Sequence, residues 1–308
     1  MSAAGDAQTS TRQVPPDLHG ARADRAVAEL FELPVATARR LIEAGRVRLD
    51  ERRCKKGDAV NAGQTMSLPG QGRWLVPVVD QRVVVLREDL DVLFVDKPAG
   101  LPCHPLVPGE GGTVVDALAV QFPEIEGASP QAPREAGLVH RLDTGTSGCL
   151  AVARTASTWG ALRQAFASDL VDKRYLALVE GELAKARVVE TPIAHDPADT
   201  RRMRVDAAGR PATSEVRPLV MGAAASLVEV IMHGGRRHQL RVHLASCGHP
   251  IVGDVLYGAA AAVDAPSPLL HARTLTLPGR PRVQAQLPPA LVAAARARGL
   301  AVAPDHPY

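Results

Sequence analysis

The sequence predicts an α+β protein: a mixed, mainly antiparallel sheet domain with a small α+β unit on its N-terminal side. Three observations carry this. Val83-Val-Val-Leu86, Val92-Leu-Phe-Val95, Tyr175–Val179 and Leu227–Met232 read as strand-like runs bounded by charges and turns. Leu162 and Phe166 stand at i, i+4 in an otherwise mixed segment and predict an amphipathic helix over 158–168. A basic window near the N-terminus has its own helix, turn and strand spacing.

Composition sets the bounds. A chain of 308 residues, 46% hydrophobic and 22% charged, is ordinary for a soluble globular protein and long enough for two domains. A net charge of +3 permits a polyanionic partner without requiring one. Cys54, Cys103, Cys149 and Cys247 form no C-x-x-C pair, so neither a zinc site nor a disulfide framework is expected. Free thiols in a reducing cytoplasm fit better. Met1–Pro16 lacks the apolar core of a signal peptide, and no apolar run approaches the ~18 residues of a membrane span. A cytoplasmic protein with no membrane partner is the expectation.

In chain order, residues 1–15 are polar and expected as a disordered tail. Residues 16–70 form the small unit. Ala26, Val27, Leu30 and Phe31 share a helical face, and Leu33-Pro34 ends that helix. Ala38, Leu41 and Ile42 mark a second helix, with Gly45 as its C-cap. Val47 and Leu49 alternate with Arg46 and Arg48 as in a half-buried strand, and Ala62-Gly63 turns the chain into another. Pro69-Gly-Gln-Gly72 leads into a linker at 71–82 containing Trp74, and the large domain is expected over 83–308.

The most informative stretch is Gly137-Leu-Val-His-Arg-Leu-Asp-Thr-Gly-Thr-Ser-Gly148. It reads as strand, turn and strand, with Asp143 on a glycine-rich turn after His140 and Arg141. Gly145 and Gly148 permit positive φ or a close approach. A lone carboxylate held beside an arginine suits attack on a substrate, or proton removal from it. A capped hairpin, with Asp143 turning its own backbone, is the alternative. Other motifs carry less. Gly109-Glu-Gly-Gly-Thr113 lacks the lysine and spacing of a P-loop and reads as a loop before a helix near Val114. His238 and His243, five apart on an expected strand, point to opposite faces and make a shared metal improbable. Gly145-Thr-Ser-Gly148 lacks the G-x-S-x-G spacing of a nucleophile elbow. No metal and no cofactor are expected.

His140-Arg-Leu-Asp-Thr-Gly-Thr-Ser-Gly148 resembles motif II of the RluA-type pseudouridine synthases, whose aspartate is catalytic. Further blocks stand in the order that family requires. Asp96-Lys-Pro-Ala-Gly-Leu-Pro-Cys-His-Pro105 precedes this motif, and Phe166–Gly181 with Lys173-Arg-Tyr-Leu-Ala-Leu-Val-Glu-Gly181, Gly234-Gly-Arg-Arg-His-Gln-Leu-Arg-Val-His-Leu-Ala245, Gly248-His-Pro-Ile-Val-Gly-Asp-Val-Leu-Tyr-Gly258 and Leu270-His-Ala272 follow. The resemblance spans roughly residues 85 to 280. It implies a central RNA-binding cleft, base flipping, and an isomerisation that needs no cofactor, metal or nucleotide. By the same resemblance Asp143 is catalytic and Arg241 is its ionic partner, Leu240 packs beside the target base, and Tyr175 stacks on it. Arg141 fills the gap left by the flipped base, while His140 reads as structural. Thr144, Gly145, Gly234, Arg237 and Cys103 depart from the family pattern without removing a group the reaction needs.

Arg39-Arg-Leu-Ile-Glu-Ala-Gly-Arg-Val-Arg-Leu49 is similar to the central motif of S4 domains, small RNA-binding modules. Arg39, Arg40, Arg46, Arg48, Lys55 and Lys56 would then line a phosphate backbone as positioning contacts; a merely solvated basic face is the alternative. The pairing implies a monomer whose partner is RNA, with large-subunit (23S) ribosomal RNA the first choice and transfer RNA the second. A non-catalytic RNA-binding assembly factor is the rival from another class.

Overall fold

The computed structural model describes residues 10–43, 45–68, 74–76 and 83–303. Packing divides the chain into two compact units: Met1–Arg82, His104–Glu126 and Pro130–Ala136 form one, and Val83–Cys103, Gly127–Ser129 and Gly137–Tyr308 the other. The single boundary expected at 71–82 falls mostly outside the described residues. It also does not anticipate that 104–126 and 130–136 group with the N-terminal segment. Val107 explains part of this, because it is buried in the same apolar cluster as Leu18, Val27, Leu41 and Met66.

In the first unit, β1 (Ser10–Gln13) pairs antiparallel with β4 (Thr65–Leu68), which also pairs with β2 (Arg48–Leu49) and through it β3 (Arg52–Arg53). Residues 10–13 correct the expectation of a disordered tail; residues 1–9 lie outside the described ones. The polar composition that suggests disorder also suits an edge strand, whose backbone pairs while Thr11, Arg12 and Gln13 face solvent. Helices α1 (Ala23–Leu30) and α2 (Val35–Glu43) bury Ala26, Val27, Leu41 and Ile42 as their spacing predicts. Gly45 closes α2 at φ 72°, where a Cβ would meet the Arg53 guanidinium at 2.6–2.8 Å. Helix α3 (Val114–Ala119) begins where expected, behind a capping box in which Thr113 and Asp116 bond reciprocally.

The second unit is built on a nine-stranded sheet. Its strands include β5 (Val84–Glu88), β6 (Val92–Lys97), β7 (Ser147–Ala153), β8 (Asp172–Glu180) and β9 (Arg187–Val189). β10 (Ile193–His195) and β11 (Met203–Val205) form a separate hairpin. β12 (Thr213–Met221), β13 (Ala225–His233), β14 (Leu270–Thr276) and β15 (Val283–Gln284) complete the large sheet. The order is β5-β6-β7-β14-β8-β13-β12-β9, with β15 on β14. Every pairing is antiparallel except β7 with β14. The fold class is therefore mixed and mainly antiparallel, as expected. Helix α4 (Ala156–Ala167) buries Trp159 and Leu162, and α6 (Pro289–Ala297) packs Leu291, Val292 and Ala295 with Leu176, Leu178 and Leu227. Truncating a residue as enclosed as Leu178 costs about 2–5 kcal/mol.

The Arg241 block is not a strand but a helix, α5 (Gln239–Ser246). Leu240, Val242 and Leu244 recur with period two, which imitates a strand; in fact Gln239, Leu240, Val242, His243 and Leu244 are all buried. A helix enclosed on most sides carries no amphipathic signature. Among the described residues no helix is long and apolar enough to cross a membrane.

Candidate active site

Asp143 lies in the turn that precedes β7, and the Thr146 N–H donates to its carbonyl at 3.0 Å. The strand expected before this turn is reduced to a single bridge between Leu138 and Val152. Gly148 adopts φ 109°, and a Cβ there would lie 2.2 Å from the Ala272 carbonyl, because β7 and β14 run side by side. No other residue fits.

Two side chains from the Asp96–Pro105 block clamp the turn from beneath. Lys97 is fully buried and donates to the carbonyls of Pro98 at 3.0 Å, Leu101 at 2.7 Å and Thr144 at 3.0 Å. Burial lowers its pKa to about 8, while the backbone carbonyls occupy its three donors. Cys103 accepts the Leu142 N–H at 3.3 Å and its thiol donates to the Leu142 carbonyl at 3.2 Å. The residues on both sides of Asp143 are thereby fixed.

The carboxylate itself is 30% exposed, at a pocket of about 80 Å³ lined by Arg141, Tyr175, Leu240 and Arg241 among others. Arg241 Nη1 stands 3.5 Å from Asp143 Oδ2, so the helix delivers the expected ion pair across 98 residues of sequence. The other edge of the guanidinium forks onto Asp254, Nε to Oδ2 at 2.6 Å and Nη2 to Oδ1 at 2.8 Å. Burial opposes the Arg241 charge, but Asp254 and Asp143, with Tyr257, together outweigh it and the pKa rises. The guanidinium also lies over the Tyr257 ring, 5.0 Å from its centroid.

Tyr175, on β8, is buried against the pocket; desolvation and then the Asp143 charge push its phenol above the ordinary range. It therefore presents a neutral ring. Leu240 is buried beside it and Arg141 is exposed at the rim. His140 stands apart from the pocket. Its Nε2 accepts the Ala151 N–H at 3.0 Å, its ring stacks on Phe166 at 4.5 Å, and burial lowers its pKa to about 3. It is a neutral structural acceptor.

The sequence alone assigns no role to Lys97, Asp254, His238 or Tyr257. All four stand inside the ordered motif blocks, yet nothing local shows that a lysine is buried or that a carboxylate faces an arginine 13 residues away. His243 turns inward, to the Ser214 hydroxyl at 2.8 Å and the Thr191 carbonyl at 3.0 Å. Among the described residues no cluster of three or more His, Cys, Asp or Glu is placed to hold a metal ion.

In the first unit the basic residues divide. Arg39 is tied to Asp24 at 3.1 Å, Arg48 to the Glu51 carbonyl at 2.7 Å and Lys56 to Glu43 at 2.8 Å. Lys55 is exposed, and among the described residues Arg46 Nε has no hydrogen-bond partner. The Arg40 side chain lies outside the described residues.

Residues 91–246 match the protein family described as RNA pseudouridylate synthase. The chain is 38% identical over 298 residues to a Nitrosomonas europaea protein named ribosomal large subunit pseudouridine synthase D, covering 90% of this chain and 83% of that one. A Pseudomonas aeruginosa protein of the same name is 33% identical over 285 residues, covering 86% of each. The solved structure of human RNA pseudouridylate synthase domain containing 4 superposes with a TM-score of 0.57 at 25% identity, covering 71% of this chain and 94% of that chain.

Proposed function

The chain belongs to the RNA pseudouridylate synthase family and is an isomerase converting uridine in RNA to pseudouridine; from this we propose that Asp143 is its catalytic residue and large-subunit ribosomal RNA its substrate. The observation that carries the first part is the placement of Asp143. It is a partly exposed carboxylate at the pocket, paired with Arg241 at 3.5 Å and set beside the Tyr175 ring.

The reaction breaks the N1–C1′ bond, turns the uracil and forms a C5–C1′ bond; the proton lost from C5 is balanced by one gained at N1. The target nucleotide leaves the stack to expose these atoms. Ionised Asp143 attacks C1′ or removes the 2′ proton, and both routes need the charge that Arg241 supports. Tyr175 stacks on the flipped base, Leu240 packs at its edge, and Arg141 occupies the space it vacates. Nothing is consumed, so the isomerisation requires no cofactor.

The substrate choice rests on the names of the relatives. Residues 16–70 supply electrostatic affinity as an S4-like unit, the unit built mainly from Val83–Cys103 and Gly137–Tyr308 carries the catalysis, and the protein works as a cytoplasmic monomer. The test is to map pseudouridines by carbodiimide-dependent reverse-transcription stops in cells that have the gene, lack it, or carry Asp143→Asn. Stops in large-subunit ribosomal RNA should vanish in the latter two. Stops that persist with Asp143→Asn refute the catalytic assignment, and stops that disappear only from transfer RNA refute the substrate.

A further inference from the structure

The residue immediately before α5 is a histidine in an unusual conformation. His238 has φ 54°, a left-handed backbone that residues with a Cβ adopt rarely and at some cost. Its imidazole is 10% exposed at the pocket, with Nε2 3.8 Å from Asp143 Oδ2. Its other nitrogen, Nδ1, lies 2.8 Å from the Tyr257 hydroxyl. That hydroxyl already accepts the Met203 N–H at 2.8 Å. Burial raises the Tyr257 pKa, so the phenol keeps its proton. Among the described residues the only acceptor in reach of that proton is His238 Nδ1. Nδ1 is then the accepting nitrogen, and Nε2, the nitrogen 3.8 Å from Asp143, carries the hydrogen.

Arg241 Nη1 approaches the same oxygen, Oδ2, at 3.5 Å. Among the described residues Oδ1 has no hydrogen-bond partner, so the two carboxylate oxygens are not equivalent. We infer that His238 is a positioning residue for the isomerisation: its tautomer, locked by Tyr257, lets Nε2–H and Arg241 together anchor Oδ2 and leaves Oδ1 as the oxygen that meets the ribose. This rests on Asp143 being the catalytic carboxylate. A separation of 3.8 Å exceeds a hydrogen bond, but such distances commonly tighten once substrate fills the site.

Other charges face the pair. Asp143 also acts on Lys97 from β6, Tyr175 from β8 and Cys103, and Arg241 reaches it from α5 with Asp254 behind. Asp143, Arg241, Arg237 and Asp254 surround His238, whose pKa is lowered mainly by burial, so the ring stays neutral. All of these remain in place when only the imidazole is changed.

The experiment has a spectroscopic arm and a kinetic arm, both on the full-length protein. Imidazole ¹⁵N shifts should show the Nε2–H tautomer at His238 in the wild type and a mixture in Tyr257→Phe. His238→Asn keeps a residue that tolerates the left-handed backbone and removes the ring. Its single-turnover rate on the RNA identified by mapping should fall roughly tenfold to a hundredfold, the worth of one hydrogen bond to a charged group. RNA binding should be unchanged. Tyr257→Phe should slow the enzyme less, and adding it to His238→Asn should slow it no further, since both act through one interaction. An Nδ1–H tautomer in the wild type overturns the inference, as do additive effects. So does a wild-type rate in His238→Asn while Asp143→Asn is inactive. Activity in Asp143→Asn would instead sink the catalytic assignment itself.

Discussion

The N-terminal unit and the Asp143 site handle charge in different ways. In the N-terminal unit the cations are exposed and mostly paired locally: Arg22 with Asp24, Arg25 with Glu29 and Arg52 with Asp58 lie within six residues of each other. At the site the charges are more enclosed and are joined across long stretches of sequence, 98 residues between Asp143 and Arg241 and 47 between Thr144 and Lys97. Exposed pairs are worth about 0–1 kcal/mol and exchange partners readily. Buried charges left unpaired cost several times that, so they keep a single geometry. The first arrangement suits a surface that trades carboxylates for phosphates. The second suits a site where one carboxylate must stand in one place.

The largest effect that could break this contrast is at Arg241. Arg241→Ala strands Asp254, whose side chain is 1% exposed, and removes the cation beside Asp143. We expect a stability loss of about 3–5 kcal/mol, measured by denaturant unfolding. In single-turnover assays the rate should fall, since the guanidinium that holds the Asp143 carboxylate in place is absent. A stable variant with the wild-type rate would show that the buried pair has no such hold.

Tyr175 comes next. Tyr175→Phe keeps the ring and should bind substrate RNA nearly as well as the wild type. Tyr175→Ala should lose about 1–3 kcal/mol of binding, the worth of stacking one base. Equal losses in both variants would move the role from the ring to the hydroxyl.

The N-terminal unit is sharpened by salt rather than by stability. Arg46→Gln with Arg48→Gln should leave the unfolding midpoint nearly unchanged. In a salt titration of RNA binding, the slope of log K against log salt should become shallower by roughly 0.7–0.9 for each phosphate that is no longer neutralised. An unchanged slope would reduce this surface to a solvated face.

The smallest effect is the acid response of the same unit. The Arg22 guanidinium, with Arg39 behind it and burial opposing, holds the Asp24 pKa at about 2. A carboxylate whose pKa is lowered on folding stabilises the native state above its unfolded value of about 3.9, and that contribution disappears as pH falls toward 2. The advantage of the wild type over Asp24→Asn in thermal unfolding should therefore shrink between about pH 5 and about pH 2. A difference that stays constant with pH would mean the pair contributes packing alone.

Much of this molecule is legible in its sequence, for identifiable reasons. Strands β6, β8 and β13 announce themselves by composition and alternation because each spans enough residues for the pattern to repeat. The Asp143 turn is legible because Gly148 must approach Ala272 where no Cβ fits, which leaves a glycine in the sequence. The pairing of Asp143 with Arg241 follows from a resemblance of ordered motifs rather than from the spacing of the residues. Residues 10–13 and helix α5 mislead for complementary causes. An edge strand can be wholly polar because its backbone does the pairing, and an enclosed helix can be apolar in any rhythm because it has no solvent face.

What the sequence determined by itself was local: element type where periodicity was strong, the turns that require glycine, and the inventory of acids, bases and rings. What only the tertiary structure decided was which of these meet. Lys97 became a clamp because the fold buried its ammonium among three carbonyls, and Asp254 became the anchor of Arg241 because the loop after α5 folds back onto it. His238 gained a defined tautomer because Met203 and Tyr257 left its Nδ1 to accept. Such roles depend on distance and desolvation, which fall off over a few ångströms. Sequence separation carries no record of either.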